Sequence, residues 1–100
     1  MANIPKPIID GNIDVSKIVP VKNRDGSYST VRSISIGTDS GTEVLIPTVI
    51  DGKVVPDSTA IRVFQQTGNH LGVFRNAADA NAYAVNLHNQ EAKRIAKLKL

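Results

Sequence analysis

The sequence predicts a small α+β domain: a small antiparallel sheet of three or four strands, centred on a β-hairpin and packed by two helices. Two observations support this fold class. Residues 23–50 alternate in polarity between turn signals, and residues 57–90 carry apolar side chains at helical spacing. The 100 residues are 41% hydrophobic, which is enough for one modest core.

The hairpin is predicted from two strands, residues 28–36 and 43–50, joined by the glycine-bounded loop 37–41. The second strand is apolar on both faces, so we expect it to lie inside the sheet and to be covered on both sides. Pro47 cannot donate a hydrogen bond to a neighbouring strand. We therefore expect a bulge or the end of pairing near Pro47.

A second turn and a first helix follow the hairpin. Asp51-Gly52 is a typical turn pair, and it leads into a brief strand over residues 53–55. Asp57 or Ser58 can cap the next helix, and Gly68 is well placed just past its end.

The second helix is predicted to begin at Asn76, with Asp79 completing a variant of the capping box. We expect Phe74 to pack in the core beside this helix. An apolar stripe should place the helix on the sheet; its residues are Ala80, Tyr83, Ala84 and Leu87. Glu91 stands where the stripe would continue, so the helix is expected to run on as a polar extension.

The ends of the chain differ from this central domain, which we assign to residues 17–90. Residues 1–16 are expected to form an extended N-terminal arm, because Pro5, Pro7 and Gly11 break any regular pattern. The arm is either a poorly ordered terminus or a segment that orders against a neighbouring subunit. Its isoleucines favour the second possibility, since a solvated tail does not need them: Ile4, Ile8, Ile9 and Ile13.

Residues 91–100 are expected to form a basic helical C-terminal extension, which holds most of the net charge of +3. Its cations are Lys93, Arg94, Lys97 and Lys99. These cations suit a solvated helix end, a protein partner or, through phosphate neutralisation, nucleic acid. Ile95 and Leu98 lie on a face that need not touch the core. Arg94, Ile95 and Leu98 are therefore candidate partner contacts, together with Ile4, Ile8 and Ile9.

No residue pattern selects an enzymatic reaction. The absence of cysteine excludes thiolate catalysis and Cys-based zinc sites. His70 and His88 belong to no recognised catalytic motif, and no cofactor or metal is expected. Arg32 is more informative, because a charge on the apolar face of a strand needs a partner, either a structural carboxylate or a bound protein. No apolar run is long enough to span a bilayer and no signal pattern opens the chain, so no membrane role is expected.

Six segments resemble, in order, a small module found in proteins encoded by tailed bacteriophages and prophages. The matching motifs are NxDGSxSTxRSxS, VxIPT, DGK, AIxxFxxTG, HLGxF and AxAYAxxLH, at residues 23–35, 44–48, 51–53, 60–68, 70–74 and 80–88. The module usually has an acidic pair where Ser58-Thr59 stands, and Asp-Thr-Pro where residues 75–77 stand. Both departures remove negative charge and leave the pattern of the fold intact.

The resemblance implies a non-enzymatic structural protein of a tailed-bacteriophage virion, associated with the capsid, the tail or the head-tail junction. It would be made in the host bacterial cytoplasm and would bind other virion proteins in multiple symmetric copies, as a homo-oligomer. One alternative is an accessory of the phage lytic or DNA-ejection machinery. Another is a small phage protein that binds nucleic acid through its basic C-terminus.

Overall fold

A computed structural model describes residues 4–15, 18, 21–22, 24–25, 28–29 and 32–98, with the backbone alone described at 28–29 and 95–98. In this part of the chain the strands are β1 (Ile9–Asp10), β2 (Val21–Lys22), β3 (Tyr28–Ser29), β4 (Ser33–Gly37), β5 (Glu43–Pro47), β6 (Val49–Ile50), β7 (Lys53–Val54) and β8 (Gly72–Phe74). The helices are α1 (Asp57–Thr67) and α2 (Ala77–Leu98). The predicted α+β class is confirmed.

The main sheet has four antiparallel strands in the order β1-β8-β5-β4. β5 lies inside this sheet, as its apolar faces predict. Val44 and Ile46 pack on the side of α1, whereas Leu45 packs on the side of α2. A helix therefore covers each face of the sheet, and the predicted covering of β5 on both sides is confirmed.

Pairing between β4 and β5 ends at Pro47, which lies opposite Ser33. The next residue, Thr48, donates its amide hydrogen to the carbonyl of Arg32 at 2.7 Å. Hydrogen-bonded and non-hydrogen-bonded pairs alternate along an antiparallel ladder, so Pro47 and Ser33 form a pair that exchanges no hydrogen bonds. The missing N–H of Pro47 therefore removes no hydrogen bond to β4. The expected end of pairing is confirmed.

The strand predicted over residues 28–36 is instead divided between two sheets, which corrects the prediction. β3 pairs with β2 in a separate two-stranded sheet, whereas β4 pairs with β5. Residues 30 and 31, between the two halves, lie outside the described part of the chain. Alternation in sequence indicates extended backbone and does not say which partner each half takes.

Both predicted turns of this region are confirmed. The loop 37–41 joins β4 to β5, and the amide of Thr38 donates to the carbonyl of Thr42 at 2.9 Å. Asp51 and Gly52 join β6 to β7 with φ of 52° and 76°. Positive φ at both central positions defines the turn that matches the twist of a two-residue hairpin.

Helix α1 ends as predicted and begins differently. Gly68 follows it in a left-handed conformation, with φ of 72°, and donates its amide hydrogen to the carbonyl of Phe64 at 2.7 Å. The capping residue at its start is Pro56, which makes no side-chain capping bond. The prediction that Asp57 or Ser58 caps α1 is therefore wrong. The ring of Pro56 fixes its φ at a value that suits the extended backbone of a capping residue. Its carbonyl accepts the first helical hydrogen bonds.

Asn76 caps α2, as predicted, because its Oδ1 atom accepts the amide hydrogen of Asp79 at 2.8 Å. The Asp79 carboxylate accepts a hydrogen bond from Arg75 at 3.0 Å. Phe74 is fully buried, and its ring centroid lies 5.0 Å from that of Tyr83, so the predicted packing of Phe74 is confirmed. The predicted stripe packs in or against the α2-side core: Ala80, Tyr83, Ala84 and Leu87.

Part of the N-terminal arm adds an edge strand to the main sheet, a feature that the sequence does not predict. Ile9 and Asp10 pair with Val73 and Gly72 of β8. The backbone of Gly11 passes so close to Leu71 that an added Cβ would lie 2.8 Å from the Leu71 Cα atom. Two paired residues are too few to show a period in sequence.

Candidate protein-binding surfaces

The predicted contact residues of the arm lie on the surface. Ile4, Ile8 and Ile9 are 48%, 53% and 57% exposed, and we refer to these three exposed side chains of one segment as the isoleucine surface. Ile13 differs from them, because it packs against the α2-side core. Large aliphatic side chains gain about 1.5–3 kcal/mol each when fully buried, so a partner that covers this surface gains affinity from apolar contact.

Asn12 fastens the same segment to the loop between α1 and β8. The backbone N–H of Asn12 donates to the carbonyl of His70 at 3.0 Å. The side-chain Oδ1 atom of Asn12 accepts the backbone amide hydrogen of His70 at 2.8 Å. Its Nδ2 group donates to the carbonyl of Gly68 at 3.1 Å. A side-chain amide offers the same donor and acceptor as a peptide group, so Asn12 extends the pairing of β1 beyond the strand. In the sequence this position is only an asparagine after a glycine, and that pattern does not predict a contact with the loop before β8.

Arg32 is exposed, which corrects the expectation that it lies on a buried strand face. It precedes β4 rather than belonging to it. Within the described residues, no hydrogen bond or ion pair is formed by its side chain, so the expected structural carboxylate partner is not found there. The guanidinium is thus available to a carboxylate or phosphate of another molecule.

Arg32 lines an open groove of about 390 Å³ between the start of β4 and helix α2. We call it the β4 groove; its lining residues are Arg32, Ser33, Thr48, Ala84, Val85 and His88. Val85 is 62% exposed, which makes it the most exposed large apolar side chain of the described residues. Sequence reasoning did not select Val85, although its position opposite the apolar stripe of α2 was visible.

Arg94 is held by Glu91 one helical turn earlier. The Nε and Nη2 atoms of Arg94 donate to Glu91 Oε1 at 3.1 and 2.9 Å. Glu91 is only 7% exposed, so it is a buried part of α2 rather than the start of a polar extension. These hydrogen bonds raise the pKa of the Arg94 guanidinium above its ordinary value, because they favour its charged form. Arg94 is less available to a partner than the sequence indicates.

Ile95 and Leu98 belong to α2, which continues to residue 98. Their side chains lie outside the described part of the structure. Their assignment as partner contacts therefore stays a prediction. Lys93, just before them, is exposed.

The histidines lie apart in the fold, one in the loop before β8 and one on α2. The ring of His70 meets Phe64 edge-on, with centroids 6.4 Å apart, and its Nδ1 atom is buried without a hydrogen-bond partner. His88 borders the β4 groove. The described residues contain no cluster of three or more side chains suited to holding a metal ion. None of the described helices is both long enough and apolar enough to cross a bilayer.

Comparison of the chain with protein-family models, with curated proteins and with solved structures finds no match.

Proposed function

We propose that this chain is a non-enzymatic structural protein of a tailed-bacteriophage virion, and that it binds other virion proteins at the capsid, the tail or the head-tail junction. The observation that carries the proposal is the isoleucine surface. Three large apolar side chains stand about half exposed on one segment, and Asn12 and β1 fix that segment to the domain. A fixed apolar surface costs little conformational entropy on binding, which suits permanent contact in a particle. The ordered motifs that resemble the phage module supply the virion context.

Mass spectrometry of purified, DNA-emptied particles tests the proposal. The chain is expected among the particle proteins at a stoichiometry that matches a symmetric position. Its absence from such particles would overturn the structural role.

Matched variants test whether the isoleucine surface makes the contact. Replacing Ile4, Ile8 and Ile9 by serine should reduce incorporation into particles, because the apolar area that a partner covers is lost. Val54→Ser is the control, since Val54 is 46% exposed on β7, away from the N-terminal segment in sequence. Equal incorporation of both variants would exclude the isoleucine surface as the contact.

The alternatives predicted from the sequence have their own assays. Binding of DNA that weakens steeply with salt and disappears on removal of residues 93–100 would favour the nucleic-acid role. Loss of turbidity in cell-wall suspensions would favour the lytic role. The ion pair between Glu91 and Arg94 reduces the cationic surface available to DNA, so we rank the structural role first.

A further inference from the structure

The outer side of β4 is the longest free strand edge of the described fold. β4 forms one end of the main sheet, and no described strand pairs with it on that side. Its five residues keep an uninterrupted register with β5. β4 carries neither the lysine, the proline nor the bulge by which edge strands are usually protected from pairing. The other end of the sheet, β1, is only two residues long.

The register with β5 shows which backbone groups of β4 point outward. At the two ends of the ladder, the amide of Thr48 donates to the carbonyl of Arg32, and the amide of Thr38 donates to the carbonyl of Thr42. Alternation along the ladder then directs the N–H and C=O groups of the even-numbered residues toward β5. The outward groups belong to Ser33, Ser35 and Gly37. They are spaced symmetrically about Ser35.

We infer that β4 is the contact surface for a second copy of this chain, which pairs with it antiparallel about a twofold axis through Ser35. In this register Ser35 faces Ser35 of the second copy, and Ser33 faces Gly37. Every outward group finds a complement, giving about six backbone hydrogen bonds. The contact is isologous and therefore closes at two copies.

Charge complementarity favours a second copy over an unrelated strand. The same register places Arg32 of one copy opposite Thr38 of the other, directly beside Asp39. Both Arg32 and Asp39 are exposed, and within the described part of the chain neither side chain has a hydrogen bond or an ion pair. Because of the twofold axis, the dimer contains this pair of cation and anion twice. It also places the loop 37–41 of the second copy at the end of β4 that borders the β4 groove.

The inferred pairing is a property of the purified chain, so it holds whether or not the chain belongs to a virion. Sedimentation equilibrium should show a monomer-dimer equilibrium. Arg32→Glu and Asp39→Arg should each weaken the dimer by about tenfold, because each places like charges together. The double variant Arg32→Glu/Asp39→Arg should recover most of the wild-type affinity. A monomer at every concentration, or a dimer indifferent to these changes, would overturn the inference.

A single cysteine fixes the register. The chain has no cysteine of its own, so Ser35→Cys introduces the only thiol. Opposed residues of a hydrogen-bonded antiparallel pair have Cα atoms about 5.5 Å apart, which a disulfide can span. Ser35→Cys should therefore give a covalent dimer under mild oxidation, whereas the exposed control Val54→Cys should not. Equal cross-linking of both variants, or none with Ser35→Cys, contradicts pairing about Ser35. Circular dichroism should show that each variant keeps the wild-type fold.

Discussion

Glu91 and Arg94 form a close ion pair on α2 in which the acid is far less accessible to water than the base. The side chain of Glu91 is 9% exposed and that of Arg94 is 34% exposed. Removing a partner from a buried charge is strongly destabilising, whereas replacing the pair by apolar residues is often neutral. The stabilising role of Arg94 therefore depends on the presence of the Glu91 carboxylate.

Arg94→Ala should lower the melting temperature by several degrees, because it leaves a buried carboxylate without its guanidinium. Glu91→Leu/Arg94→Ala should melt closer to the wild type, since leucine continues the apolar stripe of Leu87. Thermal unfolding followed by circular dichroism measures both. Identical melting temperatures for the two variants would contradict this account.

Single residues show where sequence reasoning reaches its limit. The burial of Phe74 and the position of Gly68 at the end of α1 were predicted correctly. A large aromatic residue next to a helix usually packs in the core, and a glycine after a helical pattern usually ends the helix. Arg32 was misplaced, because the strand predicted over residues 28–36 runs through it, whereas β4 begins only at Ser33. Glu91 was assigned to a polar extension because burial of a charge depends on a neighbour, and the pattern of apolar residues does not include ion pairs.

The two helices begin in different ways, and the difference can be measured. The Asn76 side chain caps α2, whereas α1 starts at Pro56 without any side-chain capping bond. The first turn of α1 therefore depends on its backbone and on the favourable position of Asp57 near the helix dipole.

Asn76→Ala should destabilise the protein by about 1 kcal/mol, the usual cost of losing a capping side chain. Asp57→Ala is the matched change on α1 and should cost only about 0.3–1 kcal/mol, since only the dipole interaction is lost. Urea unfolding of both variants gives the comparison. A larger loss for Asp57→Ala would mean that its carboxylate, and not Pro56, determines the start of α1.

The elements themselves were predicted with uneven success. Both helices, the position of β5 and the turns at residues 37–41 and 51–52 follow from periodicity and turn chemistry. β1 and β8 are only two and three residues long, so neither has enough length to show a period, and the sheet order could not be derived. Of the predicted contact residues, the structure places the isoleucine surface and Arg32 on the exterior. The molecule that they contact cannot be identified from the residue pattern of one chain.

At the N-terminal edge of the molecule, Asn12 joins the arm to the loop after α1. The hydrogen bonds of its side chain are exposed to solvent, so each contributes at the low end of the usual 0.5–1.5 kcal/mol, or about 1 kcal/mol together. The arm can therefore open locally without unfolding the domain.

Asn12→Ala should speed amide hydrogen exchange at Ile8 and at residue 12, while amides inside β5 keep their protection. Asn81→Ala, an exposed change on α2, should leave all of these amides unaffected. Exchange monitored by NMR on the free chain measures both. Unprotected amides at residues 8 and 12 in the wild type would show that the arm orders only on assembly, as the isoleucines first indicated.

The strand order β1-β8-β5-β4 also constrains folding during synthesis. The hairpin of β4 and β5 can pair as soon as it leaves the ribosome, because its contacts are local. β1 is synthesised first, yet its described partner is β8, which comes after α1. The isoleucines of the arm therefore have no partner strand until β8 has been made. During that interval the unpaired arm is accessible to other nascent chains, and assembly or aggregation competes with folding at this end of the molecule.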